Sequence, residues 1–427
     1  MIAQQGESRE RLERLVVEEV RFLWGQLMAA ESGDAAEAGV VQWTQRVGRQ
    51  VLTAGLQARV EQAEASRERG CPCGAARRQV HSHRARTVVT MLGPVRVMRH
   101  YLRCLRCDRS LFPADGWLGW KGDFSHRVQE AVAWECSLVP YRQARESLAK
   151  LAGIEVSVDA SEGLVRRWGE AELVPSPYAE RVEKELVIEI DGAKAHLEDG
   201  WREIKLGACF SWDREHPERD PEAVTYSADW ESAEQFRETL WQEALARGVT
   251  TARSVAVIGD GAPWIWEMAG HLFPYATQIL DWYHLTEHLW TAAKVVHGDG
   301  RPETAALVHR WKAEMREGRS EAVEEELREL VASGKDDGEN TLRKCADYLR
   351  THQARLRYHL FRADGWPIGS GVVEGACKHV IGLRFKRQST RWTKAGARAV
   401  LHLRLDRLND RWQQRSDHIF RQLPRAA

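Results

Sequence analysis

The runs ELVIEIDG at 185–192 and SVAVIGDG at 254–261 decide the fold. Each is short, almost wholly apolar, and ends in Asp-Gly. An apolar run of this length bounded by turn residues predicts a strand buried on both faces. Working outward, WREIKLGACFSW at 201–212 and AVTYSADW at 223–230 predict two further strands. SAEQFRETLWQEALARG at 232–248 has helical spacing and a closing glycine, Gly248. After the second Asp-Gly, GAPWIWEMAGHLF predicts a helix with Pro263 near its start, ATQILD a fifth strand and WYHLTEHLWTAAKVV a helix. The rhythm then breaks into polar helical sequence over 298–366. PIGSG is a turn, and VVEGACKHVIGLRFK after it carries Val372, Val373, Ala376, Val380 and Ile381 at helical spacing.

Three strands, helix, strand, helix, strand, helix is the order of a ribonuclease-H-like sheet. In that order the first three strands form an antiparallel meander, and strands four and five join by right-handed crossovers. The expected architecture is multidomain α+β: a ribonuclease-H-like α/β core with an all-α insertion, preceded by a small zinc-binding β module and a helix-turn-helix-like segment. The segments expected are 1–66 (helical, packing or oligomerisation), 67–115 (basic zinc-ribbon-like module), 116–180 (helix-turn-helix-like), 181–297 (core, first part), 298–366 (insertion) and 367–427 (core, second part, with basic C-terminal helices).

Such a sheet gives three carboxylates meaning. Asp191 and Asp260 end neighbouring strands, and Glu374 sits in the first turn of the helix after PIGSG. A carboxylate at the end of a buried strand is costly unless paired or bound to a cation. Mg²⁺ or Mn²⁺ takes such oxygens, and two ions clamp the attacking and leaving oxygens of an in-line phosphoryl displacement. Alternation puts Glu189 on the face of Asp191, as a supporting partner or on an exposed rim. Asp281 ends the fifth strand and His284 opens the next helix, where a histidine contacts a phosphate, positions water or satisfies a local hydrogen bond.

The rest of the chain narrows the class. Its 427 residues carry 62 Lys+Arg and 62 Asp+Glu, so a uniformly basic coat is excluded and nucleic-acid affinity must be local. Hydrophobic residues at 43% exclude a disordered chain. No apolar run reaches the roughly 18 residues of a membrane span. MIAQQGESRERLERL has no apolar segment of a secretory signal, so a cytoplasmic, nucleoid-associated protein without membrane contact is expected.

Cys71-Pro72-Cys73 and Cys104-Leu105-Arg106-Cys107 bracket an arginine-rich β module with two short strands around Gly93-Pro94. Four thiolates from two turns suit structural Zn²⁺. The single residue between Cys71 and Cys73 leaves His81, His83 or His100 as alternative ligands. The module's arginines include 67, 69, 77 and 78. YRQARESLAKLA, closed by Gly153, and ASEGLVRRWGEAEL, opened by Ser157 or Asp159, predict a helical pair. It packs through Leu148, Leu151, Ile154, Val156, Leu164, Val165 and Trp168 and offers Arg166 and Arg167 to DNA. Near the N-terminus Leu12, Leu15, Val16, Val20, Phe22 and Leu23 form an apolar stripe. Beyond Glu374, Arg384, Lys386, Arg387, Arg391 and Lys394 surround Trp392, cations for phosphates and an aromatic for an unpaired base.

IDG, VIGDGAPWIW, ILDWYHLTEHL and PIGSGVVEGACKHVIGLRFK, followed by Trp392, resemble the DDE transposases of bacterial insertion sequences. The nearest likeness is to the ISKra type, distantly Mutator-like and hAT-like, over about residues 66–415. The resemblance implies Asp191, Asp260 and Glu374 as the metal-binding catalytic triad, with Asp281 and His284 in a motif near the scissile phosphate. It implies terminal inverted repeats and target DNA as partners and a homo-oligomer on DNA. Two rivals remain at this stage: a domesticated or inactive DNA-binding repressor, and a glycosidase using paired carboxylates.

Overall fold

The computed structural model describes residues 2–66, 71–75, 79–120, 122–171, 173, 185–217, 221–230, 232–387 and 391–421. Arg67, Arg69, Arg77 and Arg78 lie outside the described residues. The chain divides into two compact units, Met1–Ala171 with Gln413–Ala427, and Glu172–Trp412. No helix is long and apolar enough to cross a membrane among the described residues.

In the first unit, helices α1 (Ile2–Met28) and α2 (Gly33–Ser66) precede a hairpin of β1 (Gln79–Thr90) and β2 (Gly93–Arg103). The hairpin is antiparallel and its strands are longer than expected, with β3 (Ser110–Leu111) pairing the end of β2. Along α1 the half-buried apolar residues are Leu12, Leu15, Val16, Leu23 and Leu27, a helical stripe. Val20 and Phe22 lie off it and are 49% and 52% exposed, which corrects the expected stripe. Helix α2 also completes β2. The Gln57 amide accepts from the Met98 N–H at 2.8 Å and donates to the Met98 carbonyl at 3.2 Å. Val60, Val95, Val97, Ala114 and Leu118 form a small core, to which the short α3 (Asp115–Leu118) contributes.

Helices α4 (His126–Leu138), α5 (Tyr141–Ala152) and α6 (Val158–Gly169) follow. Gly153 ends α5 in the left-handed region at φ 64°, and the Ser157 hydroxyl caps α6 by accepting from the Ala160 N–H at 3.1 Å. Leu148, Ile154, Val156, Leu164, Val165 and Trp168 are buried as expected. Leu151 is 82% exposed and takes no part in the packing. Helix α6 ends at Gly169, short of the expected Leu173.

In the second unit, β4 (Glu185–Leu197), β5 (Gly200–Trp212), β6 (Glu222–Asp229), β7 (Val255–Gly259) and β8 (Thr277–Leu280) form one sheet in the order β6-β5-β4-β7-β8. The pairs β6/β5 and β5/β4 are antiparallel, and β4/β7 and β7/β8 are parallel. Leu186, Val187, Ile188 and Ile190 of β4 are fully buried, as a central strand between two covered faces requires. Helices α7 (Ala233–Ala246), α8 (Pro263–Leu272) and α9 (Trp282–His297) pack on this core. The insertion is α10 (Pro302–Arg316), α11 (Ser320–Ala332), α12 (Thr341–His352) and α13 (Tyr358–Ala363). It is no detached module, because Leu307, Trp311, Leu327, Leu342 and Leu349 share the sheet's own hydrophobic core.

The segment after PIGSG is helical from 371 to 385: α14 (Gly371–Ala376), a π-helical segment Cys377–Gly382 and α15 (Leu383–Phe385). Helix α16 (Lys394–Leu408) leads to Asn409, whose amide pairs with both the N–H and the carbonyl of Tyr226 on the edge strand β6 at 2.8 Å each. The last helix, α17 (Trp412–Arg421), falls almost wholly in the first unit. There the Arg415 guanidinium donates to the Ala171 carbonyl at 2.9 Å. This differs from the placement expected from sequence, in which 367–427 belongs with the core.

Candidate functional site

The register of the parallel strands aligns three aspartates. Ile190 pairs with Gly259, and Gly259 with Leu280. Asp191, Asp260 and Asp281 are the next residues on three adjacent strands, so they form a row at the carboxyl ends, where neighbouring strands lie about 4.8 Å apart. In open α/β sheets this is the edge at which ligands bind.

Glu374 reaches this edge from α14 and is held by two contacts. The Ser370 hydroxyl donates to its Oε1 at 3.3 Å. Beneath it, Glu189 Oε2 accepts the Val373 N–H at 2.7 Å. Glu189 is 1% exposed, so it is not on a rim. It ties the helix that bears Glu374 to the strand that bears Asp191. Burial, with Asp281 nearby, pushes its carboxyl up to about 8.

The other carboxylates also sit under strain of charge. Burial raises Asp191 above the usual carboxylate range, and neighbouring Asp260 adds to it. Glu374 is raised by burial and then by Asp281 and Asp191. Such a cluster favours a bound cation, which would offset both the burial and the mutual repulsion. Among the described residues, no three acidic side chains have their oxygens all within 4.8 Å of one another. One turn along the helix, the Cys377 thiol donates to Asp191 Oδ2 at 3.3 Å, and burial raises it.

Asp281 is built differently. Its Oδ2 accepts the His284 N–H at 2.7 Å, capping α9, and its Oδ1 accepts the Ser370 N–H at 2.8 Å. It is buried, and both oxygens are engaged by backbone, so it serves the frame of the site. His284 is half-exposed beside this edge, its ring 5.0 Å from that of His288.

Sequence reasoning missed two supports, Tyr348 and Arg404. Tyr348 of the insertion donates its hydroxyl to the Asp260 carbonyl at 2.8 Å. Gly261, at φ +99°, is required there, since a Cβ would stand 2.5 Å from that hydroxyl. Arg404, buried on α16, donates to the Val380 carbonyl at 2.8 Å and to the His379 carbonyl, taking acceptors of the π segment. Glu189 alone had a signal, its alternation with Asp191; nothing local marks Tyr348 or Arg404.

The basic stretch splits in two. Lys386, Arg387, Arg391 and Lys394 are exposed. Trp392 is 5% exposed and Arg384 1%, with the guanidinium 4.5 Å from the Trp392 ring centroid. Trp392 also packs on Phe385, and its carbonyl accepts the Glu198 N–H at 2.9 Å. Both residues are therefore core, which corrects their expected contact with DNA; an amphipathic pair inside an arginine run looks exposed in sequence. Arg166 and Arg167 are exposed on α6.

In the first unit, Cys71, Cys73, Cys104 and Cys107 bring four sulfurs within 4.8 Å of one another and can hold a metal ion such as zinc. The Cys71–Cys107 and Cys73–Cys104 sulfurs are 3.5 and 3.7 Å apart. A tetrahedral Zn–S₄ site with bonds near 2.3 Å needs about 3.8 Å. The Cys73 N–H pulls the Cys71 thiol down to about 6, and the Cys107 and Arg106 N–H groups lower Cys104. The short Cys71-Pro72-Cys73 spacing thus works. His81, His83 and His100 belong elsewhere: His83 faces His100 across the hairpin at 4.6 Å, and His100 Nδ1 meets Glu64 at 3.2 Å.

A family model described as "Uncharacterised protein family (UPF0236)" matches residues 34–418. No curated protein matches the chain.

Proposed function

The chain belongs to the uncharacterised family UPF0236, and on that footing we propose that it is a DDE transposase of the ISKra-like kind with a ribonuclease-H-like core. The observation that carries the reading is the strand register, which sets Asp191 and Asp260 side by side on parallel strands with Glu374 brought over them from α14. The strand order β6-β5-β4-β7-β8, with two antiparallel and then two parallel pairings, supports the core assignment. Asp191, Asp260 and Glu374 would hold Mg²⁺ or Mn²⁺. Bound there, the cation would stabilise charge on the attacking and leaving oxygens of a phosphodiester. The chain's own residues orient these acids: Glu189 and Ser370 fix Glu374, and Asp281 fixes Ser370.

The reaction proposed is hydrolysis at the element end to free a 3′-OH, followed by attack of that hydroxyl on target DNA. Arg166 and Arg167, with Lys386, Arg387, Arg391 and Lys394, are the cations offered to phosphates. A Zn²⁺ at the four cysteines would brace the basic hairpin for recognition of terminal repeats. Joining two ends calls for a homo-oligomer on DNA.

Cleavage of a labelled end carrying the element's inverted repeat tests the reading. Wild type and Asp260→Asn are compared in Mg²⁺, Mn²⁺ and EDTA. Metal-dependent cutting at the repeat boundary, lost in the variant, is expected. Tight repeat binding with no cutting under any metal would replace this reading with that of a transposase-derived repressor.

A further inference from the structure

Two tyrosines of the helical insertion reach the carboxyl ends of the parallel strands. Tyr348 donates to the carbonyl of Asp260 at 2.8 Å, just past β7. Tyr358 donates to the carbonyl of Leu280, the last residue of β8, at 3.0 Å. Each thus binds backbone at or next to an aspartate of the row. Carbonyls at a strand end run out of ladder partners, and a buried one must find another donor.

Tyr348 is itself held firmly. Its ring stacks on His288 with centroids 4.2 Å apart at 24°, and the His352 ring lies 4.7 Å away on its own helix. The peptide after Asp260 is therefore held from α12 by the Tyr348 hydroxyl, while the Asp260 carboxylate Oδ1 accepts the Ala262 N–H at 2.9 Å within the same turn.

We propose that Tyr348 is a positioning residue for Asp260, and that the insertion serves through it as a working part of the acidic centre. The inference rests on the reading of that centre as a divalent-cation site. The hydroxyl fixes the peptide from which the Asp260 carboxylate projects, and so fixes its direction relative to Asp191. The role of the insertion follows from where its tyrosine ends, not from any ligand of its own.

The test uses the full-length protein and Mn²⁺ alone as probe, with binding read by electron paramagnetic resonance. Wild type is compared with Tyr348→Phe, Asp260→Asn and, as a control, Tyr275→Phe, whose side chain is fully exposed. Tyr348→Phe keeps the ring stack and removes one hydroxyl. It is expected to weaken Mn²⁺ binding about ten-fold, the scale for loss of an outer partner of a metal ligand, with the unfolding midpoint near that of wild type. Tyr275→Phe is expected to change neither. Unchanged Mn²⁺ affinity in Tyr348→Phe, with or without a lowered unfolding midpoint, would reduce Tyr348 to packing and overturn the inference alone. Equal Mn²⁺ binding by wild type and Asp260→Asn would overturn the cation-site reading, and the inference with it. His352→Gln leaves the hydroxyl in place and loosens its support. A smaller loss of affinity is expected there, and tighter binding than wild type would contradict the proposal.

Discussion

Glu189→Gln isolates a single buried proton. Glu189 is 1% exposed and accepts the Val373 N–H at 2.7 Å. Burial lifts its carboxyl from the ordinary 4.5 to about 8. Between those values the folded protein holds a proton that the unfolded chain has released. Stability is therefore fully present below the unfolded value and falls as pH rises toward the folded one. Linkage sets the slope at about 1.4 kcal/mol per pH unit, and the whole window is worth at most about 5 kcal/mol. Glutamine is neutral at every pH and keeps an oxygen for Val373, so the variant lacks this slope.

The assay is urea unfolding of wild type and Glu189→Gln from pH 5 to pH 9, without added divalent cation. Titrations shared by the two proteins cancel in the difference. The variant is expected to be close to wild type in stability at pH 5, where Glu189 is protonated, and to overtake it by several kcal/mol at pH 9. A difference that stays flat across the range would refute a protonated Glu189 under the Glu374 helix.

Two further outcomes follow from the packing and the thiols. Trp392→Ala should cost about 3–5 kcal/mol, as for a large core aromatic, and should do so without DNA present; calorimetry showing an unaltered unfolding midpoint would return Trp392 to the surface. Cys104→Ser should abolish stoichiometric zinc, measured by elemental analysis, and should loosen the β1–β2 hairpin in hydrogen exchange while leaving the second unit's protection intact. Retained zinc would mean that other ligands serve.

The sheet was legible because its strands are unambiguous in composition: LVIEI and VAVIG are too apolar to lie anywhere but inside, and Asp-Gly closes each. The helical pair was legible because Ser157 and Gly153 are end signals with a local mechanism. What failed depended on distant partners. Trp392 sits among arginines, and only its contact with Phe385 and with the strand end at Glu198 makes it core. Leu151 has helical spacing with Leu148, yet no element covers it. Tyr348 lies 88 residues from the carbonyl it binds, so no window of sequence joins them.

The three aspartates of the row show why position alone does not assign chemistry. All three end apolar strands in the same register, and their hydrogen bonds separate them. Asp281 gives each oxygen to a backbone N–H group, so its carboxylate is tied into the frame of the site. Asp191 gives Oδ1 to the adjacent Gly192 N–H at 2.6 Å and Oδ2 to the thiol of Cys377, a weak donor that a cation displaces cheaply. Asp260 gives one oxygen to its own turn, and its second has no partner among the described residues. Glu374 gives one oxygen to a 3.3 Å contact from Ser370. On the proposed reading, the carboxylates that would take a cation are Asp191, Asp260 and Glu374, whose partners are a turn N–H, a thiol or a long hydroxyl contact. Asp281 acts on them at one remove, since it holds the Ser370 N–H while the Ser370 hydroxyl holds Glu374.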